Sequence, residues 1–129
     1  MIHEGGCLCG AVRFKAEGLP VNVRVCHCLF CQKAMGSPFY ARAMFEPTAL
    51  TLEGPTERYP SSPQIERVFC AKCGTRIGTW RSNGTAAGVA LALFDDRNAF
   101  RPTEHIWVSR KIDWVTIDDG LPQFPEGPT

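Results

Sequence analysis

Residues 26–31 read Cys26-His27-Cys28-Leu29-Phe30-Cys31, three cysteines within six positions. Four more cysteines flank them in two pairs, Cys7 with Cys9 upstream and Cys70 with Cys73 downstream. Seven cysteines in 129 residues is an odd count, so they cannot all pair as disulfides within one chain. Thiols clustered this closely suit metal ligation, above all in a reducing compartment. The neighbouring segments fit a ligand loop. Val21, Val23 and Val25 alternate with polar residues, the pattern of a half-buried strand that delivers Cys26 at its end. Residues 29–35 hold no Pro or Gly and can wind into a helical turn or two, stopped by Gly36.

Working outward, the chain reads as mainly β. The length of 129 residues argues for one domain over residues 1–129. Val12, Phe14 and Ala16 alternate with Arg13, Lys15 and Glu17, which predicts a half-buried strand over residues 11–17. Residues 38–45, 48–52, 65–69, 75–80, 106–108 and 112–117 also read as strands, and residues 59–64 (YPSSPQ) as a loop. Asn83-Gly84 marks a hairpin-type turn. Residues 86–94 are small and apolar throughout and suit a strand buried on both faces. Residues 1–6 are polar and glycine-rich. Residues 120–129 hold three prolines and two glycines and are expected to form an irregular tail, tacked down by Leu121 and Phe124. The expectation is roughly eight short strands and at most one helix.

Composition excludes several functions. The net charge is +1, and Lys and Arg are scattered, so no basic face is offered to nucleic acid. The longest apolar run, residues 86–94, is less than half of the roughly 20 residues a membrane-spanning helix needs. The first ten residues lack the basic and apolar regions of a secretory signal, which points to the cytoplasm.

Cys70-x-x-Cys73-Gly74 has the form of a zinc knuckle, two thiolates on a tight turn whose N–H groups face the sulfurs. A knuckle needs a second pair. Cys7 and Cys9 can supply it, but spacing alone also allows either pair to join the central trio. If four cysteines close one site, Cys26, Cys28 and Cys31 remain, and three ligands with one position open is the arrangement of catalytic zinc. Three soft thiolates favour a soft fourth ligand such as a substrate thiol. His27 is a further candidate for that fourth position. It lies between two ligands on an extended segment, so its side chain points away from theirs; hydrogen bonding, proton shuttling or simple packing are its other readings.

The order GGCLCGAVRF, then CHCLFCQKAMGS, then FCAKCGT, with HIWV and DGLPQF later, resembles the glutathione-dependent formaldehyde-activating enzyme family, in particular its shorter members. The resemblance implies an Mss4-like fold, a folded-over mainly β domain with zinc. It implies a structural zinc on Cys7, Cys9, Cys70 and Cys73 and a catalytic zinc on Cys26, Cys28 and Cys31, two per chain. The implied reaction is that of a carbon–sulfur lyase, joining glutathione and formaldehyde as S-(hydroxymethyl)glutathione or acting on a related thiol and aldehyde. Glutathione carries two carboxylates, for which Lys33, Arg42, Arg110 and Lys111 are candidate partners. Ser37 is a candidate substrate hydrogen-bond donor or a turn residue, and Trp80, Trp107 and Trp114 are candidate core residues. Two alternatives stand beside the enzyme: a non-catalytic zinc module that binds a protein partner, and a redox protein cycling Cys28 and Cys31 as a disulfide.

Overall fold

Alternating residues become the two faces of strands, and in the computed structural model, which describes residues 1–127, they build two sheets around one core. The elements in order are β1 (Ile2–Gly6), β2 (Arg13–Glu17), β3 (Asn22–Cys26), α1 (Leu29–Met35), β4 (Tyr40–Phe45), β5 (Leu50–Glu53), β6 (Thr56–Ser62), β7 (Ile65–Cys70), β8 (Arg76–Arg81), β9 (Ala87–Ala90) and β10 (Glu104–Ile106). β1, β2 and β5 form a three-stranded sheet; the other seven run in the order β10-β3-β4-β9-β8-β7-β6. The pairings are antiparallel except β10 with β3, which is parallel. The fold is mainly β, as expected.

The core lies between the sheets. Val12, Phe14 and Ala16 from the small sheet meet Val23, Ala43, Phe45, Val68, Ile77 and Val89 from the large one. Strand alternation then sends the intervening residues to the opposite face of the large sheet. In register order that face carries Ile106, Cys26 and Tyr40 in one row and Met44, Gly88, Thr79 and Arg67 in another. A Cβ on Gly88 would collide with the Met44 sulfur, so Met44 lies over a strand that presents almost no side chain. Met44 therefore covers Gly88, and Met44, Tyr40 and Thr79 form the surface of the face here.

α1 flanks this face. Cys28 caps its N-terminus, with Sγ accepting from the Cys31 N–H at 3.3 Å, and Gly36 ends it in the left-handed conformation, φ 59°. Helix and stop fall where the sequence places them. Ser37 N donates to Gln32 O, a turn role just past this cap.

Several expectations are corrected. Ile2–Gly6, a polar glycine-rich stretch to which the sequence assigned no element, form β1, paired with β2 along its whole length. Tyr59 to Ser62 belong to β6, not to a loop: β6 is the sheet edge, where Pro60 is tolerated, and the register shifts beside it. Residues 112–117 form no strand, and Trp114 is 70% exposed where a core position was expected. Trp80 and Trp107 are partly buried against the two apolar clusters. Residues 91–93 leave the strand as a 3-10 turn. The segment after Gly120 lies beside β10, with Phe124 N donating to His105 O and Val108 N to Phe124 O, so backbone bonds hold it. Pro128 and Thr129, the end of the expected tail, lie outside the described residues.

Candidate active site and metal centres

Cys70 ends β7, and the chain turns at once. Gly74 N donates to Cys70 O at 2.9 Å, and Gly74 takes φ 77°, a conformation costly for any residue with a Cβ. The turn aims the N–H groups of Lys72 and Cys73 at Cys70 Sγ, each at 3.4 Å. Cys7 and Cys9 lie between β1 and β2, where Val12 N donates to Cys7 Sγ at 3.2 Å. Cys9 Sγ sits 3.6 Å from Cys7 Sγ and 3.9 Å from Cys70 Sγ, and all four sulfurs fall within 4.8 Å of one another. The upstream pair thus meets the downstream pair, leaving the trio apart. A hydrogen bond from Thr75 is the main cause that lowers the Cys73 thiol to about 5. Amide donors around a compact thiol set suit a bound cation, and this set can hold a metal ion.

The trio is built locally. β3 presents Cys26, Cys28 caps α1, and Cys31 lies buried in the first turn of α1. Their sulfurs also lie within 4.8 Å of one another, and among the described residues no carboxylate or imidazole joins them. Hydrogen bonds from Cys26, then Cys31, lower Cys28 to about 2, and the same sharing pushes Cys26 upward. One negative charge is therefore stable here, while three need a cation among them. This donor set also fits a metal ion.

His27 is fully buried and turned away from the trio. Its Nε2 lies 2.9 Å from His105 Nδ1, and His105 Nε2 lies 2.7 Å from Asp119 Oδ2. Burial pushes His27 down to about 4, so it is neutral near pH 7. The fourth-ligand reading of His27 is thus corrected: alternation along the extended segment points it to the far side. Gln32 braces the same loop, donating from Nε2 to His27 O and Arg110 O.

The trio opens onto a cleft of about 670 Å³ over this face of the large sheet. Trp107, Ile106, Leu29 and Phe30 give it apolar walls, and Tyr40, Thr79 and Ser61 add hydroxyls. Burial raises the Tyr40 phenol to about 12, so it stays protonated, 3.4 Å from Thr79 Oγ1. Trp107 is the one non-glycine residue among those described with positive φ, 58°, a strained backbone that turns the chain at the rim.

Of the four cations considered for substrate carboxylates, Arg42 and Arg110 line this cleft. Lys33 faces an adjoining groove, and Lys111 Nζ is engaged with Val115 O at 2.6 Å. Arg67 and Arg81, which sequence reading missed, also line the cleft, and Arg67 donates to Cys31 Sγ at 3.6 Å. An inward register on β7 and β8 would have been their only signal, and it shows once strand pairing is known.

The family model described as glutathione-dependent formaldehyde-activating enzyme matches residues 2–110. The chain belongs to this family. The match includes all seven cysteines. An uncharacterized lyase of Schizosaccharomyces pombe is 34% identical over 82 residues, 64% of this chain; the chain spans about 60% of that relative's length. A protein of Halomonas elongata named for glutathione-dependent formaldehyde activation is 29% identical over 129 residues, covering 92% of this chain and 82% of its own length. The crystal structure of a Rhodobacter sphaeroides protein matches with TM-score 0.59 at 22% identity, over 94% of this chain and 98% of that one, a likeness of fold.

Proposed function

We propose that this chain is a zinc-dependent enzyme of the carbon–sulfur lyase type, acting on a thiol and an aldehyde or on their adduct. The observation that carries the reading is the position of Cys26, Cys28 and Cys31 in the wall of an apolar, hydroxyl-lined cleft, separate from the four-cysteine cluster. In this reading Cys7, Cys9, Cys70 and Cys73 hold a structural zinc. Zinc on the trio would supply an open coordination position where a substrate thiol ionises. The preferred substrates are glutathione and formaldehyde, which the family's description and the Halomonas relative's name support. The proposed setting is the cytoplasm, where thiols stay reduced.

The chemistry fits the surroundings. A free thiol with pKa about 8.5 is only about 3% ionised at pH 7, so full ionisation raises the nucleophile roughly 30-fold. Attack forms an S–C bond, breaks the C=O π bond and leaves an alkoxide that takes up one proton. Tyr40, protonated and facing the cleft, can donate to that oxygen. The Arg67 N–H on Cys31 Sγ drains charge from the trio. Trp107 and Ile106 pack against the trio and give the reacting sulfur an apolar side.

The test is exchange NMR of glutathione and ¹³C-formaldehyde with zinc-loaded protein and with Cys28→Ser. Acceleration by the wild type alone is expected. No acceleration at full zinc occupancy would remove the proposed reaction.

A further inference from the structure

Four arginines reach the cleft from different elements: Arg42 from β4, Arg67 from β7, Arg81 from β8 and Arg110 from the turn after β10. Arg67 is only 8% exposed, and its polar contacts are Ser61 Oγ at 3.0 Å and Cys31 Sγ at 3.6 Å. Arg42 is half-buried and donates to the neutral Asn22 Oδ1 at 3.2 Å. The adjacent Arg24 already takes Glu104, at 3.2 Å. The other ion pairs among the described residues join Arg13 to Asp95, Arg58 to Glu66 and His105 to Asp119, so none of the four cleft arginines has a carboxylate partner. Nor, among the described residues, does any Asp or Glu line the cleft.

Buried cations are normally paired, and a guanidinium fork matches a carboxylate by two parallel hydrogen bonds. Three thiolates around a divalent ion carry one net negative charge, which four guanidiniums outweigh. We infer that this cleft recognises a polyanionic thiol through Arg42, Arg67, Arg81 and Arg110, and provides no charged acceptor for a substrate ammonium group. The inference rests on the thiol reading of the trio and narrows its substrate class. The amino group of glutathione is then a tolerated appendage, held outside the arginine cluster. Arg67 and Arg42 sit deep and Arg81 and Arg110 are exposed, so a substrate's acidic groups are held at two levels.

Calorimetric titration of the zinc-loaded full chain tests this with four probes. They are glutathione, its deaminated analogue, its glycine-amide analogue and cysteamine, a cationic thiol. Deamination is expected to leave affinity unchanged or improved. Amidation should weaken binding about tenfold, the worth of a charge-assisted hydrogen bond, and cysteamine should not bind measurably. Arg81→Gln and Arg110→Gln, both at exposed positions, should each weaken glutathione about tenfold with zinc content and circular dichroism unchanged. A tenfold loss on deamination, equal binding of cysteamine, or unchanged affinity in both arginine variants would overturn the inference and leave the thiol reading standing. S-methylglutathione separates the two ideas. Binding equal to glutathione, still lost in the arginine variants, supports anion recognition and counts against the thiol reading.

Discussion

Replacing Cys73 by serine should cost far more stability than replacing Cys28, although each change removes one sulfur from a cysteine cluster. The reason is chain topology. The four-cysteine cluster joins segments 61 residues apart, as the Cys9–Cys70 contact shows, whereas Cys28 and Cys31 are three apart. Treating the metal clamp as a crosslink, closing a loop of that length removes about 4 kcal/mol of unfolded-chain entropy. The dependence on loop length alone makes the local trio worth about 2.7 kcal/mol less. For a chain of 129 residues the unfolding entropy near the midpoint is on the order of 0.27 kcal/mol per kelvin. Cys73→Ser should therefore lower Tm by about 15 °C, and Cys28→Ser by about 5 °C. Thermal circular dichroism with zinc analysis on both variants measures this. A folded Cys28→Ser protein holding one of two zinc ions is the expected result. Equal losses of Tm, or Cys73→Ser melting like the wild type, would refute the division into a structural clamp and a local site.

Other perturbations test the frame around the site. Gly78 packs on the carbonyl of Gly88, so Gly78→Ala should overpack this strand pair and cost about 1–3 kcal/mol in a urea titration. Phe14, 1% exposed at the centre of the core, should cost about 3–5 kcal/mol when cut to alanine, read by the same titration. Gly88→Ala would press on the Met44 sulfur, which lines the cleft, and should cost about 1–3 kcal/mol in the same titration. The hydrogen bond from His105 holds the Asp119 carboxyl below its ordinary value, so its contribution is present above the unfolded carboxylate pKa and is lost as pH falls through the lower folded value. Asp119→Asn should therefore speed amide exchange at Phe124 and Trp107 at pH 7, and the difference from wild type should shrink as pH falls through the lowered carboxylate value.

The sequence by itself determined what local chemistry can carry. Alternation in Val21, Val23 and Val25 set a strand, the Gly-free run after Cys28 set a helix, Gly36 stopped it, and cysteine spacing marked two candidate metal-binding clusters. These signals act over a few residues, so they survive without knowledge of the rest of the chain. Edge position was invisible, so Tyr59 to Ser62 looked like a loop until β7 was found beside them. Only the tertiary structure brought Cys7 and Cys9 to Cys70 and Cys73 rather than to the trio, because pairing across 61 residues depends on how β1 and β7 pack. Only it turned His27 toward His105 and gathered four arginines from separate elements around one cleft. A cleft is a property of strand register, and register is set by pairing partners that a linear sequence does not name.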